Sequence, residues 1–210
     1  MMEKPNNYFF ENNLLRYESH LKGFTSSIFN ELNSKYEELN VNSKIEDLFA
    51  GKNVNFTEDQ AAWHPQYRAN IPNWPSKDLS ECLNKGVLDG VLNIVVLGIG
   101  GSFEGPKLLI ESLIGPNTNL NHLFITGSDP TEFIEKTYNL KKTETLFIIS
   151  SKSFTTDETL ETLNDAIEWS GDMNKFIAIT ANESEAYKYN IKHIIKFDKE
   201  IGGRYSIWSD

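Results

Sequence analysis

Five short apolar runs, separated by amphipathic segments, constrain the fold of this chain more than any other feature. Short β-branched runs bounded by turn residues are typical of buried strands, and the segments between them have the periodicity of helices. The predicted strands are Leu92–Leu97, His122–Thr126, Leu146–Ser150, Phe176–Thr180 and Ile194–Phe197. The predicted helices are Pro106–Leu113, Thr131–Tyr138, Thr156–Trp169 and Glu183–Tyr189. This alternation predicts an α/β fold, a doubly wound and mostly parallel five-stranded sheet.

The residues before the first run have a different pattern. Aromatic residues and leucines recur at helical intervals over residues 8–40, which predicts one or two helices. Ser43 and Glu46 have the spacing of a capping box, and Gly51 is placed to end the short helix that the box would start. We therefore expect an amino-terminal helical segment over residues 1–90 and an α/β domain over residues 91–210.

Charge and cysteine content exclude several classes of partner. Thirty acidic residues against 20 basic residues give a net charge of −10, which repels nucleic acid and anionic membranes, so neither is expected as a partner. The single cysteine, Cys82, excludes an internal disulfide and indicates a reducing, cytoplasmic location. An anionic ligand would need a local positive site.

The turn after the first predicted strand is rich in glycine. Gly98, Gly100 and Gly101 permit a close backbone approach to a ligand, but Phe103 stands where a dinucleotide-binding motif needs its third glycine. The turn is weak evidence by itself, and a simple tight turn remains the alternative.

The turn after the third predicted strand carries the stronger signal. Hydroxyl groups and one lysine cluster there, and Thr155 with Glu158 predicts a capping box at the start of the next helix. A helix N-terminus, hydroxyl donors and an ammonium together suit a phosphate monoester. The alternative is an ordinary capped helix start with incidental serines.

The third feature lies near the end of the sequence. Two glycines, Gly202 and Gly203, precede Arg204, whose guanidinium could stabilise negative charge on a substrate oxygen. An exposed turn arginine is the alternative. The four histidines have no metal-ligand spacing, so no metal site is expected.

Together these motifs resemble, in order and spacing, those of the glucose-6-phosphate isomerase family. The resemblance covers roughly residues 43–210 and rests on Leu97-Gly98-Ile99-Gly100-Gly101-Ser102, Ser151-Lys152-Ser153-Phe154-Thr155-Thr156 and Gly202-Gly203-Arg204-Tyr205-Ser206-Ile207-Trp208-Ser209. The segment from Gln60 to His64 resembles a further family motif, with Gln60 where the family usually has arginine. Ser153 similarly stands where the family typically has threonine and keeps the hydroxyl group.

The resemblance implies specific roles for these residues. It implies that Ser151, Lys152, Ser153 and Thr156 cradle a phosphate, that Gly101 and Ser102 line the sugar, and that Arg204 is the catalytic arginine near the enediolate. The implied reaction is the reversible isomerisation of glucose 6-phosphate and fructose 6-phosphate through a cis-enediol, in glycolysis and gluconeogenesis, with no metal or organic cofactor.

The resemblance also implies that this chain is only part of an enzyme. The family joins two phosphosugar-binding sandwiches of the sugar isomerase type in one chain, usually as a homodimer, and only the first with its leader is matched here. The family's glutamate base, ring-opening histidine and second lysine lie downstream of the Gly-Gly-Arg motif, with no counterpart before Asp210. We therefore expect an amino-terminal fragment that is inactive alone. A non-catalytic phosphosugar-binding regulatory module is the alternative.

Overall fold

The computed structural model describes residues 8–11, 13–19, 26–66, 75–114 and 119–201, together with 203 and 207. The chain divides into two compact units, Met1–Ala50 and Gly51–Asp210. The predicted boundary at residue 90, between a helical segment and an α/β domain, stays a prediction.

The first unit contains a strand pair as well as helices. Strands β1 (Tyr8–Glu11) and β2 (Arg16–Ser19) pair antiparallel, so the prediction of helix from residue 8 is wrong for this part. Aromatic residues favour strands as well, and pairing across a short connection overrides their helical spacing. Helix α1 (Ser26–Glu38) follows, as the helical spacing predicts.

Helix α2 (Val41–Phe49) begins differently from the prediction. Its N-cap is Asn40, which has a left-handed backbone at φ 50° and makes no capping side-chain bond. Ser43 lies inside the helix, so the predicted capping box is wrong. Asparagine tolerates the left-handed conformation, so Asn40 can turn the chain between α1 and α2 without a serine cap. Gly51, at φ +70°, follows the helix end as predicted.

The second unit is built on a five-stranded sheet with the order β4-β3-β5-β6-β7 and four parallel pairings. This confirms the predicted α/β fold. The strands are β3 (Asn93–Leu97), β4 (Asn121–Ile125), β5 (Thr145–Ser150), β6 (Phe176–Thr180) and β7 (His193–Lys196). The helices are α3 (Lys77–Asn84), α4 (Glu104–Leu113), α5 (Pro130–Thr137), α6 (Asp157–Ser170) and α7 (Glu183–Lys188).

Alternate residues of strands β3, β5, β6 and β7 enter two separate apolar clusters, as expected for a sheet covered on both faces. On one face Val95, Phe147 and Phe176 pack with Leu163 and Ala166 of α6. The opposite cluster comprises Cys82, Val87, Val91, Leu146 and Ile177. Among the described residues, no helix is both long and apolar enough to span a bilayer.

The strand order locates the ligand-binding edge. The chain leaves β3 toward β4 and then crosses to β5 on the other side, so β3 and β5 flank a topological switch point. Ligands of open parallel sheets bind beyond the carboxyl ends of the strands at such a point. The two turns singled out in the sequence follow β3 and β5, and a Cβ at Gly98 would lie 2.9 Å from the carbonyl oxygen of Ser150.

Candidate functional site

A cavity of about 830 Å³ opens at this edge of the sheet. Residues from the turns after β3, β5 and β6 contribute to its wall, together with two segments near residues 58 and 200. The lining residues are Glu58, Asp59, Gln60, Gly101, Lys152, Ser153, Ala181, Asn182, Lys199, Glu200 and Gly203. Gly101, Lys152 and Ser153 are thus brought to one cavity, whereas Ser102, Ser151 and Thr156 are not among the residues that line it.

The turn after β3 is a short 3-10 helix, Gly100–Ser102. Gly100 has a φ of +58°, which glycine adopts without strain. The Ser102 N–H donates to the carbonyl of Ile99 at 3.2 Å, and the half-buried Ser102 side chain lies against Gly98. Ser102 therefore stabilises the turn whose Gly101 lines the cavity.

The turn after β5 is held by a buried serine. The Ser151 N–H donates to the carbonyl of Ile179 at 3.1 Å, which extends the pairing with β6. The Ser151 hydroxyl accepts from the N–H of Phe154 at 3.2 Å. Phe154 has a left-handed φ of 55°, yet its side chain is 1% exposed and contacts the Tyr189 ring edge to face. Burial of this ring in the core offsets the cost of the turn conformation.

Helix α6 begins beside this turn, one residue later than the predicted capping box requires. Its N-cap is Thr156, whose side chain makes no capping bond. The Thr155 hydroxyl instead donates to Ser153 Oγ at 2.8 Å, so the predicted box of Thr155 and Glu158 is wrong. A helix start without a side-chain cap leaves N–H groups for an anion.

The turn after β6 is hydrogen-bonded to the turn after β5, which is the candidate phosphate site. The sequence motifs did not indicate a role for this turn after β6. Thr180 Oγ1 and the Ala181 N–H both donate to the carbonyl of Lys152 at 3.1 Å. Asn182 Nδ2 donates to the carbonyl of Ser153 at 3.1 Å. The available signal was the position of Asn182, two residues after the end of a predicted strand at the same edge of the sheet.

Lys152 is the half-buried cation of the cavity wall, and its ammonium donates to Oε1 of Gln60. Burial lowers the pKa of Lys152 below 10.5, and the carboxylates of Glu58, Glu200 and Asp198 oppose this shift. Among the described residues, no three acidic, histidine or cysteine side chains are close enough to hold a metal ion.

Arg204 lies outside the described residues, so its catalytic role stays a prediction. Two neighbours in the same motif are described. Gly203 lines the cavity, and Ile207 packs on the first turn of α4, where a Cβ at Gly105 would lie 2.6 Å from Ile207 Cδ1.

Comparison with known proteins identifies the family of this chain. A sequence model of the phosphoglucose isomerase family matches residues 19–210. The chain belongs to the phosphoglucose isomerase family. It is 33% identical to the glucose-6-phosphate isomerase of Neurospora crassa over 82% of this chain and 37% of that protein. The isomerase of Saccharomyces cerevisiae is 32% identical over the same shares. The chain thus spans little more than a third of these phosphoglucose isomerases.

Solved structures confirm the phosphoglucose isomerase fold. A glucose-6-phosphate isomerase from Chlamydia trachomatis superposes with a TM-score of 0.64 at 22% identity, covering 87% of this chain and 40% of that one. A hypothetical protein from Thermus thermophilus gives 0.63 at 21% identity, covering 88% and 44%.

Proposed function

We propose that this chain binds the phosphate group of glucose 6-phosphate or fructose 6-phosphate in the turn after β5, as the amino-terminal part of a cytoplasmic isomerase. One observation carries the proposal. Lys152 and Ser153 line a cavity at the switch point of a parallel sheet, next to the uncapped start of α6. That location combines a cation, a hydroxyl group and a helix N-terminus, which are the groups that a phosphate dianion requires.

Each member of the proposed phosphate site has a separate role. Lys152 supplies the charge, and Ser153 and Thr156 supply hydroxyl donors near the helix start. Ser151 shapes the turn through its bond from the Phe154 N–H. The sugar would lie toward the turn after β3, where Gly101 allows close approach and Ser102 completes the turn.

The proposed reaction moves one proton between two carbons of the sugar. A base removes the proton from C2 of the open-chain aldose, and the C1 carbonyl oxygen gains a proton as the cis-enediol forms. The proton then returns to C1, and the C2 hydroxyl loses its proton to become the carbonyl of the ketose. In the direction from glucose 6-phosphate to fructose 6-phosphate, C2 is oxidised and C1 is reduced. The step therefore needs no external oxidant or reductant. In this proposal Arg204 stabilises the enediolate oxygen, and the base belongs to a downstream segment of the homodimeric full-length enzyme.

Binding is tested with the 210-residue chain and glucose 6-phosphate in a calorimeter. Lys152→Ala should weaken binding about tenfold or more, because a hydrogen bond to a charged group contributes roughly 1.5–3 kcal/mol. Lys141→Ala is the matched control, since this lysine has 73% of its side chain exposed and is not among the cavity-lining residues. Equal affinities of the Lys152→Ala variant and the parent would refute the phosphate site.

Turnover is tested separately with the same chain. We expect sugar binding without conversion to fructose 6-phosphate, because a positioned base contributes about 10²–10⁴ in rate and the motifs present hold no candidate. Addition of the carboxyl-terminal part of a family member should restore turnover, which distinguishes a partial isomerase from a regulatory binding module. Rapid conversion by residues 1–210, abolished by Arg204→Ala, would show that this chain holds its own base.

A further inference from the structure

One side-chain contact links the proposed phosphate-site lysine to a segment that is distant in sequence. The Lys152 ammonium donates to Oε1 of Gln60, 92 residues earlier in the chain. Both side chains line the cavity. Whatever fixes Gln60 therefore also restrains Lys152.

A tight turn fixes Gln60 from one side. The Asn55 N–H donates to the Gln60 carbonyl at 3.0 Å, and the Gln60 N–H donates back to the Asn55 carbonyl at 3.2 Å. Within the turn, the Thr57 hydroxyl donates to Asn55 Oδ1 at 2.8 Å. Asp59, the residue before Gln60, has a left-handed φ of 51°. Aspartate tolerates this conformation, and the Asp59 carboxylate accepts from Asn53 Nδ2 at 2.5 Å within the same turn.

Glu200 fixes the segment from the other side. Its Oε2 accepts from the Ala61 N–H at 3.3 Å, and its carbonyl accepts from the Trp63 N–H at 2.8 Å. The Glu200 N–H donates to Asp198 Oδ1 at 2.8 Å, which orders the turn that carries it. Gln60 thus lies between two hydrogen-bonded anchors.

The amide of Gln60 suits a lysine that must still bind an anion. An ammonium has three donors, and a neutral amide oxygen takes one without cancelling the charge. A carboxylate at the same place would pair with the ammonium and repel a phosphate. A long side chain restrained before binding loses less conformational freedom when its ligand arrives.

We propose that Gln60 is a positioning residue, whose amide holds the Lys152 ammonium in place for the phosphate group while Glu200 anchors the segment that carries Gln60. This inference rests on the proposed function, because it assigns a partner to the phosphate-site lysine.

A double-mutant cycle tests the coupling in the 210-residue chain, with glucose 6-phosphate as ligand. Gln60→Ala alone should weaken binding about three- to tenfold, as expected for one hydrogen bond. In the Lys152→Ala background the same change should have no further effect, because the partner is gone. Equal effects of Gln60→Ala in both backgrounds would overturn the inference. Failure of Lys152→Ala to weaken binding would instead contradict the proposed phosphate site.

An isosteric charge change and a control within the same turn exclude a merely structural role. Gln60→Glu should weaken binding at neutral pH, and the Lys152 ammonium should hold the pKa of the introduced carboxyl below its usual value of about 4.3, so the deficit should persist down to that pH. A deficit that disappears above about pH 4.3 would overturn the proposal. Thr57→Ala removes a bond of the turn without contacting Lys152 and should change affinity less than about twofold, below the range of one hydrogen bond to a charged group. A loss as large as that of Gln60→Ala would show that the integrity of the turn is what matters.

Discussion

Single residues in strained backbone conformations hold the candidate site in shape. Phe154, Asp59 and Ala62 all have φ between 48° and 55°, although none is glycine. A left-handed conformation costs roughly 1–2 kcal/mol for most residues with a Cβ, such as Phe154 and Ala62, whereas aspartate tolerates it. Phe154 shapes the turn after β5, and Asp59 and Ala62 flank the segment that positions Gln60. The burial of Phe154 and Ala62 contributes the free energy that offsets this strain.

The structure predicts an effect of acid pH on stability at His193. Among the described residues, its Nδ1 is a buried polar side-chain atom without a hydrogen-bond partner. Burial lowers the pKa of His193 below 6.5, and the Lys85 and Lys192 ammonium groups lower it further. The unfolded chain then takes up a proton that the folded chain resists, so the free energy of unfolding should decrease as the pH falls below 6.5.

Urea unfolding at about pH 7.5 and about pH 5.5 measures this effect. His193→Asn should lose less stability between the two conditions than the parent. Lys192→Gln, which removes a neighbouring positive charge, should also reduce the loss. Identical losses in the parent and the His193→Asn variant would show that other groups govern the acid sensitivity.

At the scale of elements, three strand-to-helix turns support one another at the edge of the sheet. The turn after β6 donates three hydrogen bonds to carbonyls of the turn after β5, from Thr180, Ala181 and Asn182. The turn after β3 approaches the end of β5 so closely that Gly98 has no room for a side chain. The phosphate-site candidate therefore depends on its two neighbouring turns.

Gly98→Ala tests the close approach of β3 and β5. The added methyl would lie 2.9 Å from the Ser150 carbonyl oxygen and 3.0 Å from Ser102 Cβ, so backbone must move. We expect a loss of about 1–3 kcal/mol in the free energy of unfolding, as for overpacked sites, and weaker sugar-phosphate binding. Gly127→Ala is the control, since its nearest contact would be 3.9 Å away. If both variants have the same free energy of unfolding as the parent, the turn after β3 does not approach the end of β5 this closely.

At the scale of the molecule, the helices differ in how many of their side chains are buried against the sheet. Helix α6 presents Leu163 and Ala166 fully buried to the sheet, whereas no residue of α4 is buried. Leu108 and Leu113 of α4 are 65% and 76% exposed. Exposed leucines favour association.

We expect concentration-dependent self-association of the 210-residue chain through α4. Leu108→Lys combined with Leu113→Lys should reduce it, as measured by sedimentation velocity. Glu111→Gln combined with Ser112→Lys changes the net charge by the same two units on the same helix and should leave association in place. If both pairs reduce association equally, charge rather than apolar contact is the cause.

Local pattern was sufficient to determine the five strands of the sheet, the helices between them and the turn that carries Ser151, Lys152 and Ser153. Strand and helix periodicities act over a few residues and are visible in the sequence itself. The family resemblance rests on the same contiguous motifs. Where two local conformations compete, pattern was insufficient, as in the strand pair at Tyr8–Glu11 and the α6 start at Asp157.

Only the tertiary structure decided which residues meet in the cavity. Gln60 contacts Lys152 across 92 residues, and the Ala61 N–H reaches Glu200 across 139. No periodicity spans such separations, because these contacts exist only once the strand order has brought distant turns to one edge of the sheet. The left-handed conformation of Phe154 is likewise decided by burial in the assembled core, since nothing in its local sequence favours it.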